Sequence, residues 1–205
     1  MAADRLAELV HDGFDLGFVS TSEQTTAYAR GLGLEVLDID CVESIDVTID
    51  GADEVGPRLD LIKGLGGALL REKIAASMTE KEVIVVDEFK VVDRLGTSAP
   101  LPVEVCGFAH VATARALEGL GCEPVLRLKD GRPFVTDGGN LIYDCRFDGI
   151  DDPSYLETAI DTIPGVVECG LFVGLTHAVE AYREEDDSVV ELRITDRRAG
   201  PRGSP

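Results

Sequence analysis

Tryptophan is absent from this 205-residue sequence, aromatic residues make up only 5% of it, and only five of its 19 basic residues are lysine. Long apolar runs are also missing, so no segment approaches the roughly 20 residues of a membrane-spanning helix. The 39 acidic residues give a net charge of −20, which makes nucleic acid or an anionic membrane a poor partner. No basic region followed by an apolar core opens the chain, so we expect no signal peptide.

The excess of acid over lysine is typical of enzymes from salt-loving microbes, because high salt screens the repulsion between like charges. An ordinary acidic cytosolic protein is the alternative interpretation. The apolar fraction of 44% is too high for a disordered chain. The length allows one compact domain or two small ones.

The cysteines and histidines show no metal-binding pattern. No Cys-x-x-Cys occurs, and the histidines stand alone, so we predict no metal site. We expect reduced intracellular thiols that are mostly buried as small apolar side chains. These residues are Cys41, Cys106, Cys122, Cys145, Cys169, His11, His110 and His177.

The first half of the chain alternates predicted strands with predicted helices. Apolar runs predict strands at residues 14–19, 34–39, 45–49 and 82–87, with helices at 21–31 and 67–78. A capping-box pattern, Thr21-Ser-Glu-Gln24, opens the first of these helices. The alternation predicts a Rossmann-like parallel sheet, in which strand 82–87 is apolar enough to be buried on both faces.

The second half has a different order. Predicted strands and helices follow as β-α-β-β-α-β, the ferredoxin-like signature. They lie at residues 101–106, 109–120, 123–128, 140–145, 153–162 and 165–169, and two further strands at 177–181 and 188–194 return to the first sheet. We therefore predict a Rossmann-like catalytic domain at 1–99, completed by 173–196, a ferredoxin-like α+β domain at 100–172, and a disordered tail at 197–205.

Two segments carry side chains or backbone groups that could bind a ligand or move a proton. They follow predicted strands, where open α/β sheets bind their ligands. Asp50-Gly51-Ala52-Asp53 places two carboxylates where they can hydrogen-bond sugar hydroxyls or move a proton, although a plain polar loop is an equal alternative. Lys63-Gly64-Leu65-Gly66-Gly67 leads into a helix, and its N–H groups can converge on an anion or a developing oxyanion. A plain glycine loop before a solvated helix face is the alternative here.

Lysine itself marks this region. Lys63, Lys73 and Lys90 lie close in sequence to the glycine-rich loop and the carboxylate pair. Because the chain has so few lysines, we expect this group to neutralise an anionic ligand, although Lys90 taken alone is as easily a surface side chain. Glu72, about one and a half turns into the predicted helix, is expected to face the same cavity.

These motifs together resemble the type A ribose-5-phosphate isomerase family. The resemblance rests on Asp50-Gly-Ala-Asp-Glu54 and Lys63-Gly-x-Gly-Gly-Ala-Leu-x-Arg-Glu-Lys73, supported by Pro100-Leu-Pro-Val-Glu104, Val135-Thr-Asp-x-x-Asn140 and Ile163-Pro-Gly-Val-Val-Glu168. It runs from about residue 6 to about residue 182.

The resemblance implies cofactor-free interconversion of D-ribose 5-phosphate and D-ribulose 5-phosphate in the cytoplasm, within the non-oxidative branch of the pentose phosphate pathway. It implies that Glu72 carries a proton between C2 and C1 through an enediolate, with Lys63 at the oxyanion. Asp50 and Asp53 are placed on sugar hydroxyls, and one of them assists ring opening. The implied substrate contacts are Asp50, Gly51, Ala52, Asp53, Lys63, Gly64, Leu65, Gly66 and Lys90. A homodimer or homotetramer is also implied.

The sequence departs from the family at two places. Leu65 stands where the family usually has glycine, which would be strained if the position needs a positive φ. The family's opening helix, strand and Gly-Thr-Gly-Ser-Thr phosphate loop have no counterpart in this sequence. We therefore keep as alternatives an inactive truncated isomerase, a non-catalytic sugar-phosphate-binding module, and another enzyme such as an amino-sugar-phosphate deaminase or a CoA transferase.

The charge balance predicts a stability that rises with salt. Raising KCl from about 0.1 M to about 2 M shortens the screening length from about 10 Å to about 3 Å or less. We expect the thermal unfolding midpoint to rise by about 5 °C or more, as measured by circular dichroism. A midpoint that is unchanged or lower in 2 M KCl contradicts the salt-adapted interpretation.

Overall fold

Residues 2–192 are described by the structure, a computed structural model, and they form five α-helices and thirteen β-strands. The helices are α1 (Ala2–His11), α2 (Glu23–Gly31), α3 (Leu69–Ser77), α4 (His110–Glu118) and α5 (Pro153–Asp161). The strands are β1 (Ile45–Asp50), β2 (Glu54–Val55), β3 (Leu61–Ile62), β4 (Thr79–Asp87), β5 (Leu101–Val105), β6 (Glu123–Leu126), β7 (Leu128–Lys129), β8 (Arg132–Pro133), β9 (Leu141–Arg146), β10 (Val166–Cys169), β11 (Leu171–Phe172), β12 (Ala178–Arg183) and β13 (Ser188–Leu192). The predicted tail at 197–205 and the end of the last predicted strand lie outside the described residues.

The first sheet has the strand order β1-β4-β12-β13. Strand β4 runs parallel to both β1 and β12, and β13 pairs antiparallel with β12, which confirms the predicted parallel α/β sheet. The expectation that residues 82–87 are buried on both faces is wrong. Glu82, Ile84 and Val86 are buried on one face, whereas Val85 on the other face is 50% exposed.

The strands predicted at 14–19 and 34–39 do not form. Phe18 and Val36 share only an isolated parallel bridge, and Phe14 and Leu16 are largely exposed. A strand is stable only when a neighbour pairs with its backbone, and within the described residues neither segment joins the sheet, which ends at β1. The predicted helix between these segments does form, and Ser22 caps it by accepting a hydrogen bond from the Thr25 N–H.

The second sheet is antiparallel, with the order β10-β5-β9-β6. Strands taken in chain order as first, second, third and fourth are thus arranged 4-1-3-2, with α4 and α5 packed against them. This confirms the ferredoxin-like β-α-β-β-α-β unit. A large apolar core that includes Leu101, Leu117 and Ile160 lies beneath this sheet. The domain boundaries themselves stay a prediction.

Two small sheets were not foreseen. Strands β2, β3 and β11 form a three-stranded antiparallel sheet, and β7 and β8 form a hairpin. The strand predicted at 123–128 is interrupted at Arg127, whose side chain turns toward the glycine-rich loop. Helix α3 lies between the two main sheets and contacts β1 and β4 on one side and β5 and β10 on the other.

Two other expectations can be compared with the structure. All five cysteines are free thiols, and three of them, Cys122, Cys145 and Cys169, are buried as expected, whereas Cys41 and Cys106 are exposed. Between residues 2 and 192, no helix combines the length and the apolar character that crossing a bilayer would need.

Glu54 ties the two parts of the chain together. Its side chain is fully buried, and its carboxylate accepts hydrogen bonds from the N–H groups of Gly96 (2.6 Å), Ser98 (2.5 Å) and Ala99 (2.6 Å). These residues form the connection that enters β5. A carboxylate can accept bonds on both oxygens, so the last residue of the Asp-Gly-Ala-Asp-Glu motif serves as a cap for this connection.

We predict that Glu54→Gln lowers the free energy of unfolding by about 2–3 kcal/mol, because an amide offers one acceptor oxygen and turns a donor toward backbone donors. Chemical denaturation measures the change. Glu80→Gln is the matched control, since Glu80 is an exposed carboxylate in β4, and it should stay within about 0.5 kcal/mol of the parent. Equal stability of the two variants would contradict the role given to Glu54.

Candidate active site

A cleft of about 160 Å³ opens where β1, β3 and β4 end. Asp50 is the last residue of β1, Lys63 directly follows β3, and Lys90 lies three residues after β4. The lining residues are Asp50, Gly51, Ala52, Asp53, Lys63, Gly64, Gly66, Glu72 and Lys90. The structure thus brings together every site residue predicted from the sequence except Leu65.

Lys63 is the centre of the cleft, although its side chain is only 3% exposed. Its ammonium lies 2.8 Å from Asp50 Oδ2 and 3.3 Å from Glu72 Oε2, and it also donates to the Gly51 carbonyl oxygen. All three ammonium donors therefore have an oxygen partner. Burial alone would lower the pKa of Lys63, but the charges of Asp50 and Glu72 outweigh it, so the pKa lies above its ordinary value.

Glu72 lies in the first turn of α3, closer to the helix start than the sequence suggested, because the helix begins at Leu69. Burial raises the pKa of the Glu72 carboxyl above its ordinary value, Lys63 opposes that effect, and the neighbouring Asp50 and Asp53 add to it. The side chain is 15% exposed. A carboxylate with a raised pKa, facing a cleft beside an ammonium group, is suited to accept and return a proton.

The glycine-rich loop presents its backbone to the same cleft. Gly64 has a φ of +105°, and a Cβ there would lie 2.8 Å from the Leu69 Cβ, so this position requires glycine. Leu65 does not have a positive φ, so the leucine is unstrained. Its N–H donates to Asp53 Oδ2 at 2.9 Å while its side chain is 45% exposed, which explains why Leu65 does not line the cleft.

The lysine group expected from the sequence is only partly assembled. Lys90 reaches the cleft and donates to the Ala52 carbonyl oxygen at 2.8 Å. Lys73 does not line it. One residue further along α3 than Glu72, it points away from the cleft and pairs with Glu157 of α5 (2.9 Å) and Glu168 of β10 (2.6 Å). Its expected part in neutralising a ligand in this cleft is therefore wrong, because adjacent helical residues face different directions.

Two residues near the cleft were missed from the sequence. Phe172 in β11 is buried, and the ammonium groups of Lys63 and Lys73 lie 5.4 Å and 5.3 Å from its ring centroid. Glu82 in β4 is 1% exposed, and neither carboxylate oxygen has a hydrogen-bond partner within the described chain. The sequence offers a signal for Glu82, since this acid directly precedes the apolar run at residues 83–86.

Glu82 shares a face of the first sheet with Asp50. In the register between β1 and β4, Thr48 lies opposite Glu82 and Asp50 lies opposite Ile84. Burial raises the pKa of Glu82 to about 7, helped by the charges of Asp50 and Glu72 and opposed by Lys63. The carboxyl group of Glu82 therefore titrates within the electrostatic field of the cleft.

A possible metal-ligand trio lies elsewhere. Asp161, Glu168 and Cys169 place ligand atoms within 4.8 Å of one another. Lys73 donates to Glu168 at 2.6 Å there, and burial raises the pKa of the Cys169 thiol to about 12. An occupied carboxylate and a protonated thiol make these residues poor metal ligands.

Comparisons with known proteins agree on one family. The family model "Ribose 5-phosphate isomerase A (phosphoriboisomerase A)" matches residues 17–186. The chain is 53% identical over 179 residues to ribose-5-phosphate isomerase A of Gloeobacter violaceus, covering 87% of this chain and 78% of that protein. It is 48% identical over 197 residues to the enzyme of the same name from Thermomicrobium roseum, covering 95% and 83%.

Solved structures of this family have the same fold. The ribose 5-phosphate isomerase A of Methanocaldococcus jannaschii superposes with a TM-score of 0.87 at 35% identity, covering 93% of this chain and 84% of that one. A D-ribose-5-phosphate isomerase in complex with phospho-erythronic acid superposes with a TM-score of 0.89 at 37% identity, with the same coverage of both chains.

The raised pKa of Glu82 predicts a pH-dependent stability. A folded-state pKa above the ordinary 4.5 means that the folded chain binds the proton more tightly, so stability falls as pH rises from 4.5 to about 7. Removing this titration with Glu82→Gln should flatten the fall by up to about 3 kcal/mol. Urea unfolding at several pH values between 5 and 8 measures it. Glu80→Gln should keep the parental slope, and a parental slope in Glu82→Gln would refute the assignment.

Proposed function

Because the chain belongs to the ribose 5-phosphate isomerase A family, we propose that Glu72 moves the proton between C2 and C1 when ribose 5-phosphate and ribulose 5-phosphate are interconverted. This isomerisation is the chain's reaction, and it belongs to the pentose phosphate pathway. The observation that carries the proposal is the position of the Glu72 carboxylate, 3.3 Å from a buried ammonium and open to the cleft.

The proton transfer is a two-step exchange between neighbouring carbons. In the aldose-to-ketose direction, the ionised Glu72 takes the proton from C2 and leaves an enediolate. The hydroxyl proton on O2 passes to O1, and the protonated Glu72 returns its proton to C1, so that the carbonyl is formed at C2. A burial-raised pKa strengthens Glu72 as a base. Because the carboxyl gives back the proton it takes, one residue serves both steps.

The enediolate oxygen requires a positive partner that is already in place. Lys63 remains charged because its pKa lies above the ordinary value. Gly66 lines the cleft, and its N–H has no hydrogen-bond partner within residues 2–192. We infer that the Lys63 ammonium and the Gly66 N–H together stabilise the developing negative charge.

The remaining cleft residues orient the sugar phosphate. One carboxylate oxygen of Asp53 accepts the Leu65 N–H, and the other is available to a sugar hydroxyl. Asp50 accepts the Gly51 N–H at 2.7 Å and the Lys63 ammonium at 2.8 Å. We infer that Asp50 and Asp53 bind hydroxyls and that one of them assists ring opening, while Lys90 draws the phosphate toward the cleft. These groups supply the base and the oxyanion partners without calling on a cofactor.

The comparisons do not favour a non-catalytic sugar-phosphate-binding module or an inactive isomerase. A cytoplasmic location and a homodimeric or homotetrameric assembly are further proposals, which rest on the family resemblance. The net charge of −20 supports the proposal that nucleic acid is not a partner.

We predict that Glu72→Gln lowers kcat by about 10³-fold, within the 10²–10⁴ range of general-base catalysis, and changes KM by less than about threefold. Conversion of ribose 5-phosphate to ribulose 5-phosphate is followed in the parent and in the variant. In the parent, kcat/KM should fall as pH drops through the Glu72 pKa, with a midpoint above 4.5, since only the ionised carboxylate is a base.

Glu80→Gln serves as the control and should retain the parental kcat. If Glu72→Gln isomerises at the parental rate, Glu72 is not the base. A parent chain that binds phospho-erythronic acid but converts no ribose 5-phosphate at low or high salt would instead support the binding-module alternative.

A further inference from the structure

Arg127 forms a bridge from the second sheet to the glycine-rich loop. Its side chain is 12% exposed, and its guanidinium contacts both carboxylate oxygens of Asp144 in β9, with Nε 3.0 Å from Oδ2. The same guanidinium donates through Nη1 to the carbonyl oxygens of Gly64 (2.9 Å) and Leu65 (3.0 Å). Asp144 thus fixes the guanidinium, and the guanidinium fixes two successive peptide groups.

Peptide geometry converts these contacts into a direction for the N–H groups. In a trans peptide the C=O and the following N–H point in opposite directions. Arg127 holds the Gly64 carbonyl, so the Leu65 N–H points the other way, and it donates to Asp53 Oδ2 at 2.9 Å. Arg127 also holds the Leu65 carbonyl, so the Gly66 N–H is turned away from Arg127 in the same manner.

Phe134 completes the support of the loop from the same side. The Arg127 guanidinium lies 5.9 Å from the Phe134 ring centroid. Gly67 has a φ of +89°, and a Cβ there would lie 2.5 Å from Phe134 Cζ, so the ring packs directly against the loop backbone. The loop backbone therefore packs against a ring and a guanidinium that both lie in the predicted ferredoxin-like domain at 100–172.

We propose that Arg127 is a positioning residue of the isomerase, whose guanidinium orients the Gly64 and Leu65 peptides so that the Leu65 N–H holds Asp53 and the Gly66 N–H meets the enediolate oxygen. The inference deepens the proposed function and rests on it. Arg127 acts through the backbone and lies outside the residues that line the cleft.

This role predicts which kinetic constant changes. Aiming an N–H at an oxyanion matters in the transition state more than in substrate binding, so the effect should fall on kcat. Deleting an oxyanion donor outright costs about 10²–10³ in kcat, and we expect a loss at or below the bottom of that range for a donor that is present but misdirected.

The test compares Arg127→Lys, Arg127→Met and the distant control Arg132→Met. We expect both Arg127 variants to lose about 10- to 100-fold in kcat, with KM within about threefold of the parent. The midpoint at which kcat/KM falls with decreasing pH, the acid limb of the pH profile, should be the same as in the parent. Lysine keeps the charge, but its ammonium lacks the planar fork with which Arg127 contacts both Asp144 oxygens through Nε and Nη2 while Nη1 reaches the two carbonyls. Arg132 is an exposed arginine in the neighbouring hairpin strand β8, and its replacement should leave kcat unchanged.

The outcomes are distinguishable from those of the Glu72 proposal. If Glu72→Gln is inactive while Arg127→Lys keeps the parental kcat, the base assignment stands and the role of Arg127 is overturned. A loss confined to KM, or a displaced acid limb, would also overturn it. If the Arg127 variants do not fold, Asp144→Asn provides the second variant, because it loosens the guanidinium and should lower kcat in the same way without moving the acid limb.

Discussion

A single buried ammonium group, that of Lys63, is the constraint on which the site depends. It is almost fully removed from solvent, and a lone charge in that position would be strongly unfavourable. Asp50, Glu72 and the Gly51 carbonyl compensate it, each from a different element or loop. Since charge and partners are buried together, the end of β1, the end of β3 and the start of α3 must all meet at this point. The proton-transfer chemistry uses the same balance, because Lys63 keeps Glu72 ionisable while burial keeps it basic.

The surrounding fold keeps those three elements together. Glu54 caps the connection that leads into the second sheet, and α3 lies between the two sheets, so Glu72 is held from both sides. Arg127, in the predicted ferredoxin-like domain, holds the glycine-rich loop through the Gly64 carbonyl oxygen. The predicted ferredoxin-like domain therefore contributes more than stability to the cleft, because it sets the direction of the loop's N–H groups. The cleft places the ammonium groups of Lys63 and Lys90 among three carboxylates, so an anionic substrate has positive partners there despite the net charge of −20.

The sequence predicted most of the cleft residues because they lie in short segments, and Asp50 and Lys90 follow two neighbouring parallel strands, whose carboxyl ends converge. It failed where contacts are long-range. Arg127 is more than 60 residues from the Gly64 and Leu65 carbonyls that it holds, and no local sequence pattern predicts such a contact. Lys73 was misassigned because nearness in sequence does not imply a shared face on a helix. The strands predicted at 14–19 and 34–39 had the right composition, but composition cannot supply the neighbouring strand that a ladder requires. At Leu65 the sequence suggested backbone strain that the structure does not have. The Leu65 N–H holds Asp53, while the leucine side chain lies outside the cleft.

The central claim is that Lys63 and burial act in opposition on Glu72, and a ¹³C NMR titration of the Glu72 carboxyl in the parent and in Lys63→Met tests it most directly. The account predicts a parental midpoint above the ordinary 4.5 and a further upward displacement when the ammonium is removed. A Glu72 that titrates at or below 4.5 in the parent, or one whose midpoint is the same in Lys63→Met, would contradict it.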